Sequence, residues 1–137
     1  MAYADYDYYI GEYLLGREAV IPEASFSGFE KDARREVDER TFGRIADNAE
    51  LITDAVRDCV CAIAEVLFKA ECQEKANAAA GMAGALTSWS NDGQSGTVDV
   101  TGSIYTVQGR RAEIRRLIHA YLGRTGLLYA GVSVYEP

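Results

Sequence analysis

The chain has 137 residues, 48% of them apolar and 26% charged, which suits one globular domain with a real core and excludes a disordered segment. No apolar run approaches the ~18–20 residues of a membrane span, and the stretch from Met1 to Asp7 lacks the basic start and apolar run of a signal peptide, so the chain is expected to stay in the cytosol of the cell that makes it. A net charge of −7 argues against a sequence-reading nucleic-acid binder, because phosphate affinity comes mainly from lysine and arginine, but leaves room for a protein that surrounds DNA without gripping it.

The first predicted helix is short, about Asp5 to Leu15, and dense in tyrosine: Tyr3, Tyr6, Tyr8, Tyr9 and Tyr13 lie in or just before it. Ile10, Tyr13 and Leu14 share a helical stripe with Tyr6, and Gly16 is placed to end it. The second helix runs from about Pro22 to Thr41, with proline in the first turn and Glu23 at the positive end of the helix dipole. Phe26, Phe29, Ala33 and Val37 recur at three- and four-residue steps and make one apolar face. The opposite face, Lys31, Asp32, Arg34, Arg35, Glu36, Asp38 and Glu39, reads as a solvated surface or a subunit rim. Gly28 weakens this helix, so a start nearer Ser25 or Ser27, each a possible cap, is the alternative; Gly43 stops it.

The third pattern is the longest, about Thr53 to Ala78, with Thr53 as N-cap. Ile52, Val56, Val60, Ile63, Leu67 and Ala70 form a stripe that Cys59 and Val66 widen, which predicts the central helix of a bundle. From Gly81 to Gly109 helical periodicity gives way to recurrent glycine. Two alternating runs, Leu86 to Ser90 and Thr97 to Val100, flank Asn91-Asp92-Gly93, which predicts a β-hairpin or long loop over about 86–100. The last helix covers about Arg110 to Leu122. Ile114, Leu117, Ile118, Tyr121 and Leu122 give it a clean apolar face, with Arg110, Arg111, Arg115 and Arg116 elsewhere and Gly123 as its cap. An apolar tail follows: Leu127, Leu128, Tyr129, Val132, Val134 and Tyr135. The expected fold is mainly α, a bundle of about four helices in one domain spanning 1–137, with the hairpin or loop projecting from it.

Little in this pattern points to chemistry. The acidic residues lie on mixed-charge faces beside arginines, as on solvent-exposed surfaces. His119 is the only histidine and borders an apolar stripe, so a nucleophile–base pair has no evident base. Cys59, Cys61 and Cys72 are odd in number and read as small core residues. The pairs Gly81/Gly84 and Gly93/Gly96 lack the Gly-Lys-Ser/Thr of a phosphate loop. No catalytic residue, cofactor or metal is expected, and no enzyme. The tyrosine-rich start and the apolar tail either fold back on the bundle or dock on a partner.

Several stretches in series resemble phage head–tail connector proteins, the adaptor subunits of long-tailed phages and prophages. They are Tyr3 to Tyr9, Ile21-Pro22-Glu23 with Phe26, Val37 to Ile45, the helix from Val56 to Ala70, the serine- and glycine-rich Leu86 to Asp99, and the closing Arg124 to Val132. Asp38 to Ile45 and the closing Leu127-Leu128-Tyr129-Ala130-Gly131-Val132 carry it best. The resemblance implies a structural virion protein, made in the host cytoplasm and placed at the head–tail junction. It would form a homo-oligomeric ring, commonly twelve-fold, beneath the portal protein, with free subunits that can be monomeric. The ring would extend the channel through which DNA passes without specific binding, and would present a platform to a head-completion or tail protein. The candidate portal or subunit interface is Leu127, Leu128, Tyr129, Val132, Val134 and Tyr135 with Arg111, Arg115 and Arg116. The charged face from Lys31 to Glu39 and the arginines of the last helix are candidate intersubunit pairs. The competing reading is a generic cytosolic helical protein–protein interaction module, a regulator or adaptor.

Overall fold

The computed structural model describes residues 2–79 and 106–128. In chain order these hold α1 (Tyr6–Tyr8) running into a π turn (Tyr9–Tyr13), α2 (Glu23–Arg40), α3 (Arg44–Asp47), a 3-10 turn (Ala49–Leu51), α4 (Asp54–Ala79) and α5 (Val107–Leu122). No strand occurs among the described residues, and the hairpin or loop expected over about 86–100 lies outside them. Among them, too, no helix is long and apolar enough to cross a membrane.

The central helix is α4. Thr53 caps it, its Oγ1 accepting from Val56 N at 3.4 Å. Every residue from Cys59 to Ala64 is buried, more than a full turn, so neighbours must cover α4 on all sides. On one side lies α2, antiparallel to it, with Phe29 edge-on to Phe68 at 5.4 Å. On another lies α5, also antiparallel: Arg110 at its start pairs with Glu74 at 3.5 Å, and Leu117 O sits 4.0 Å from Cys59 Sγ. The α2 and α5 faces turned to the core, Phe26, Ala33 and Val37 on one and Ile114, Ile118 and Leu122 on the other, are those the periodicity picks out. α2 begins at Glu23 behind Pro22, as expected, and not at the alternative Ser25 or Ser27, because proline supplies the extended residue that opens a helix. One start differs from expectation. α5 begins at Val107, earlier than Arg110, because Thr106 Oγ1 accepts from Gly109 N at 2.9 Å.

The tyrosine-rich start closes the remaining side of α4. It is not the regular helix expected over Asp5 to Leu15. After one α turn the chain widens, and Leu14 N donates to Tyr9 O, five residues back, at 2.9 Å. The widened turn buries Tyr9 and Leu14 and leaves Ile10, a member of the expected stripe, 38% exposed. Tyr9 stacks on Phe26 at 4.9 Å. Its hydroxyl donates to Glu65 Oε2 at 2.8 Å and accepts from Val20 N and Ile21 N. Tyr8 donates to Asp58 and Tyr3 to Asp38, at 2.8 and 2.6 Å.

Glu30, which the sequence gives no reason to single out, is 1% exposed. Its Oε2 accepts from Tyr3 N at 2.8 Å and Ala4 N at 3.4 Å, and Arg34 pairs with it at 2.9 Å. The charged face of α2 is therefore only partly a solvated rim: Glu30, Arg34 and Asp38 tie down the N-terminal segment. The cysteines also divide. Cys59 and Cys61 are buried as expected, whereas Cys72 is exposed.

Two outcomes are expected. Glu30→Ala strands two backbone donors and one arginine, and should cost about 2–3 kcal/mol. A urea midpoint within error of wild type would refute that. Burial first, and then the bond to Glu65, push the Tyr9 hydroxyl from 10.0 up to about 12; burial, with Asp38 and Asp58, raises Tyr3 and Tyr8 likewise. The folded chain thus holds protons that the unfolded chain releases near pH 10. This stabilisation is complete below pH 10 and is lost as pH rises through the window from 10 to about 12. Helical circular dichroism should fall across that window, and a signal unchanged to its upper end would contradict the clamp.

Candidate interaction groove

The second half of α2 and the length of α5 run side by side in the same direction, since both are antiparallel to α4. Between them opens a groove of about 680 Å³. Ile114, Ile118 and Leu128 supply its apolar lining. On α5, Arg111, Arg115 and His119 follow one another at four-residue steps and so form a row along one rim. Glu36, Glu39 and Arg40 come from α2. Phe42, 55% exposed, stands where α2 ends.

The turn after α2 builds this end of the groove. Thr41 Oγ1 donates to Val37 O at 2.9 Å and closes the helix. Phe42 then takes φ +58 and Gly43 φ +74. Glycine takes this left-handed conformation freely, while a bulky residue there is strained. Arg44 follows, its guanidinium 5.3 Å from the Phe42 ring centre. Its Nη1 donates to Gly126 O at 3.2 Å and Leu127 O at 3.0 Å, which fixes the chain beyond α5. Leu127 is 8% exposed and joins the core, while Leu128 is half-buried in the groove.

The predicted interface residues thus separate. Arg111, Arg115 and Leu128 meet in the groove. Leu127 is packed on its own bundle, because Arg44 holds its backbone there. Arg116 turns away and forms a 2.6 Å pair with Glu113 on its own helix, which lowers the Glu113 carboxyl. Tyr129, Val132, Val134 and Tyr135 lie outside the described residues. Within one chain, Glu36 and Glu39, from the charged face expected to pair between subunits, line the same groove as Arg111 and Arg115. Among the described residues, no ion pair within 4.0 Å spans it. The sequence reading missed Phe42, α3 and the 3-10 turn. For Phe42 the signal was present, since a large apolar residue between a helix end and a glycine has little core to enter.

The groove is equipped for docking by non-covalent contact, with an apolar centre and a charged rim. Burial raises the Cys59 thiol to about 12 and raises Cys61 as well, so both remain protonated and inert as nucleophiles. Among the described residues, no cluster of His, Cys, Asp and Glu could hold a metal ion.

Arg44→Ala should release Gly126 and Leu127, costing about 1–3 kcal/mol and speeding amide hydrogen exchange at Thr125, Leu127 and Leu128. Unchanged exchange there would show that Leu127 packing alone holds the segment.

No family model matches the chain, and no curated protein or solved structure matches it significantly.

Proposed function

We propose that this chain is a connector subunit of a long-tailed phage or prophage, a structural protein that forms a ring beneath the portal, extends the DNA channel and joins head to tail. One observation carries the reading. The two stretches that most resemble connector proteins, Asp38 to Ile45 and the segment closing the chain from Leu127, are distant in sequence but joined in the fold by Arg44 and the carbonyls of Gly126 and Leu127. Matches that unite in one structural feature support a common origin better than scattered ones.

Other features agree with it. The bundle is small and helical. Its charge of −7 offers little to hold DNA that must slide past. The reading includes the hairpin or long loop expected over about 86–100, a location at the virion's head–tail junction, a structural rather than enzymatic role, and portal and tail or head-completion proteins as partners. In it, the apolar tail from Tyr129 onward meets the portal.

The groove equally favours a generic helical interaction module, a regulator or adaptor, and the portal separates the two. Mixed with the cognate portal and viewed by negative-stain electron microscopy, the chain should add a ring at the portal's narrow end. Folded, helical protein that never associates would leave the interaction module as the better reading. Removal of residues 129–137, which spares the buried Leu127, should abolish portal binding without changing helicity or melting. A ring formed by the shortened chain would refute the tail contact alone.

A further inference from the structure

We propose that the groove between α2 and α5 receives the N-terminal segment of a second copy of this chain, giving a head-to-tail contact; as a ring contact it rests on the connector reading. Two surfaces argue for it. The first is the bend after the π turn. Leu15 has φ +51 and is 75% exposed, and Ile10 beside it is 38% exposed. A leucine forced into the left-handed region and held out in water is an unfavourable arrangement twice over, in backbone strain and in exposed apolar surface. In the stretch of sequence from Asp7 to Glu18 that contains it, the exposed acids are Asp7, Glu12 and Glu18, with Arg17 as the one base.

The second surface is the groove, where Arg40, Arg111 and Arg115 outnumber Glu36 and Glu39 in a chain that is otherwise strongly acidic. It has an apolar floor and an exposed phenylalanine at one end. An acidic apolar knob and a basic-leaning apolar groove are complementary. Within one copy they do not meet. Leu15 and Ile10 do not line the groove, and the segment that carries them packs on α4 and beside Tyr121. The knob of one copy therefore satisfies the groove of the next. Because the two patches differ, the contact is heterologous: each added copy still offers a free knob or groove, and a suitable rotation closes the series into a ring.

The test is a charge swap in the full-length chain. One variant carries Glu12→Arg and Glu18→Arg; the other carries Arg111→Glu and Arg115→Glu. All four residues are exposed, so both variants should melt as wild type does. Sedimentation equilibrium is run on wild type, on each variant and on their equimolar mixture, alone and with the portal. Wild type should gain mass with concentration or on the portal, each variant alone should lose that gain, and the mixture should recover it, because opposite charges again face each other at both kinds of junction. Reversals without effect overturn the pairing, as does a mixture that fails to recover. So does a wild type that never assembles. Self-association seen only after removal of residues 129–137 gives the groove to the chain's own tail and likewise overturns it. Portal binding lost in the groove variant and not recovered by mixing gives the groove to the portal, with the same consequence. The connector reading fails separately: recovery on mixing with no portal binding keeps the pairing and discards the connector.

Discussion

Six consecutive buried residues, Cys59 to Ala64, impose the constraint on which the rest of the fold depends. A helix buried over more than a full turn needs cover on every side, and α2 and α5 cover only part of it. Each of its valines and isoleucines gains roughly 1.5–3 kcal/mol by full burial, so leaving one side open would forfeit much of what holds the bundle together. The tyrosine-rich start provides the missing side. Tyrosine suits this edge because its ring lies on apolar helix while its hydroxyl reaches a polar group at the border. Asp38, Asp58 and Glu65 are those groups. Carboxylates that look like surface decoration on α2 and α4 are thus the anchor points of the covering segment, and Glu30 is the deepest of them.

Cover of this kind sets a geometric problem at each end. The chain must leave the π turn and return to α2 within a few residues, and it must leave α2 and reach α4 almost as quickly. Both reversals use the same device, a bulky residue followed by a glycine, both left-handed: Leu15 with Gly16 and Phe42 with Gly43. Glycine takes this conformation without steric cost, while the bulky partner costs about 1–2 kcal/mol. Neither bulky residue recovers that cost by burial, since Leu15 and Phe42 are the most exposed large apolar residues of the first two-thirds of the described chain. Among the described residues, the fold therefore places its two left-handed bulky residues where two of its four exposed large apolar side chains also stand.

The helices of the body were legible because each shows one face to a common core, and periodicity reports faces. It gave the inner stripes of α2, α4 and α5, and Thr53 as a cap. It failed where the residues that matter do not repeat. The π turn breaks the 3.6-residue period, so Ile10 alone of the expected stripe is turned to solvent, while Leu14 stays buried and Tyr9, off that stripe, is buried with it. Glu30 lies in a charged run and differs from its neighbours only through a backbone that arrives from the N-terminus, which no local pattern encodes. The α5 arginines were visible as candidates, but their sharing one groove with Glu36 and Glu39 depends on α2 and α5 both packing on α4. That is a tertiary relation between helices far apart in sequence.

The turn from Thr41 to Arg44 gathers these threads. Its first residue closes α2, its second supplies the groove's exposed ring, its third permits the reversal, and its fourth holds the carbonyls that seat Leu127 and bring Leu128 to the groove. The groove's rim and part of its lining therefore hang on one short turn. Leu128, the last of the described residues, lines the groove, so whatever occupies the groove lies beside the residue that the tail follows in sequence. In a ring subunit, the grip on a neighbour and the grip on a portal would then be adjacent, and Arg44 would support both through the same two carbonyl groups.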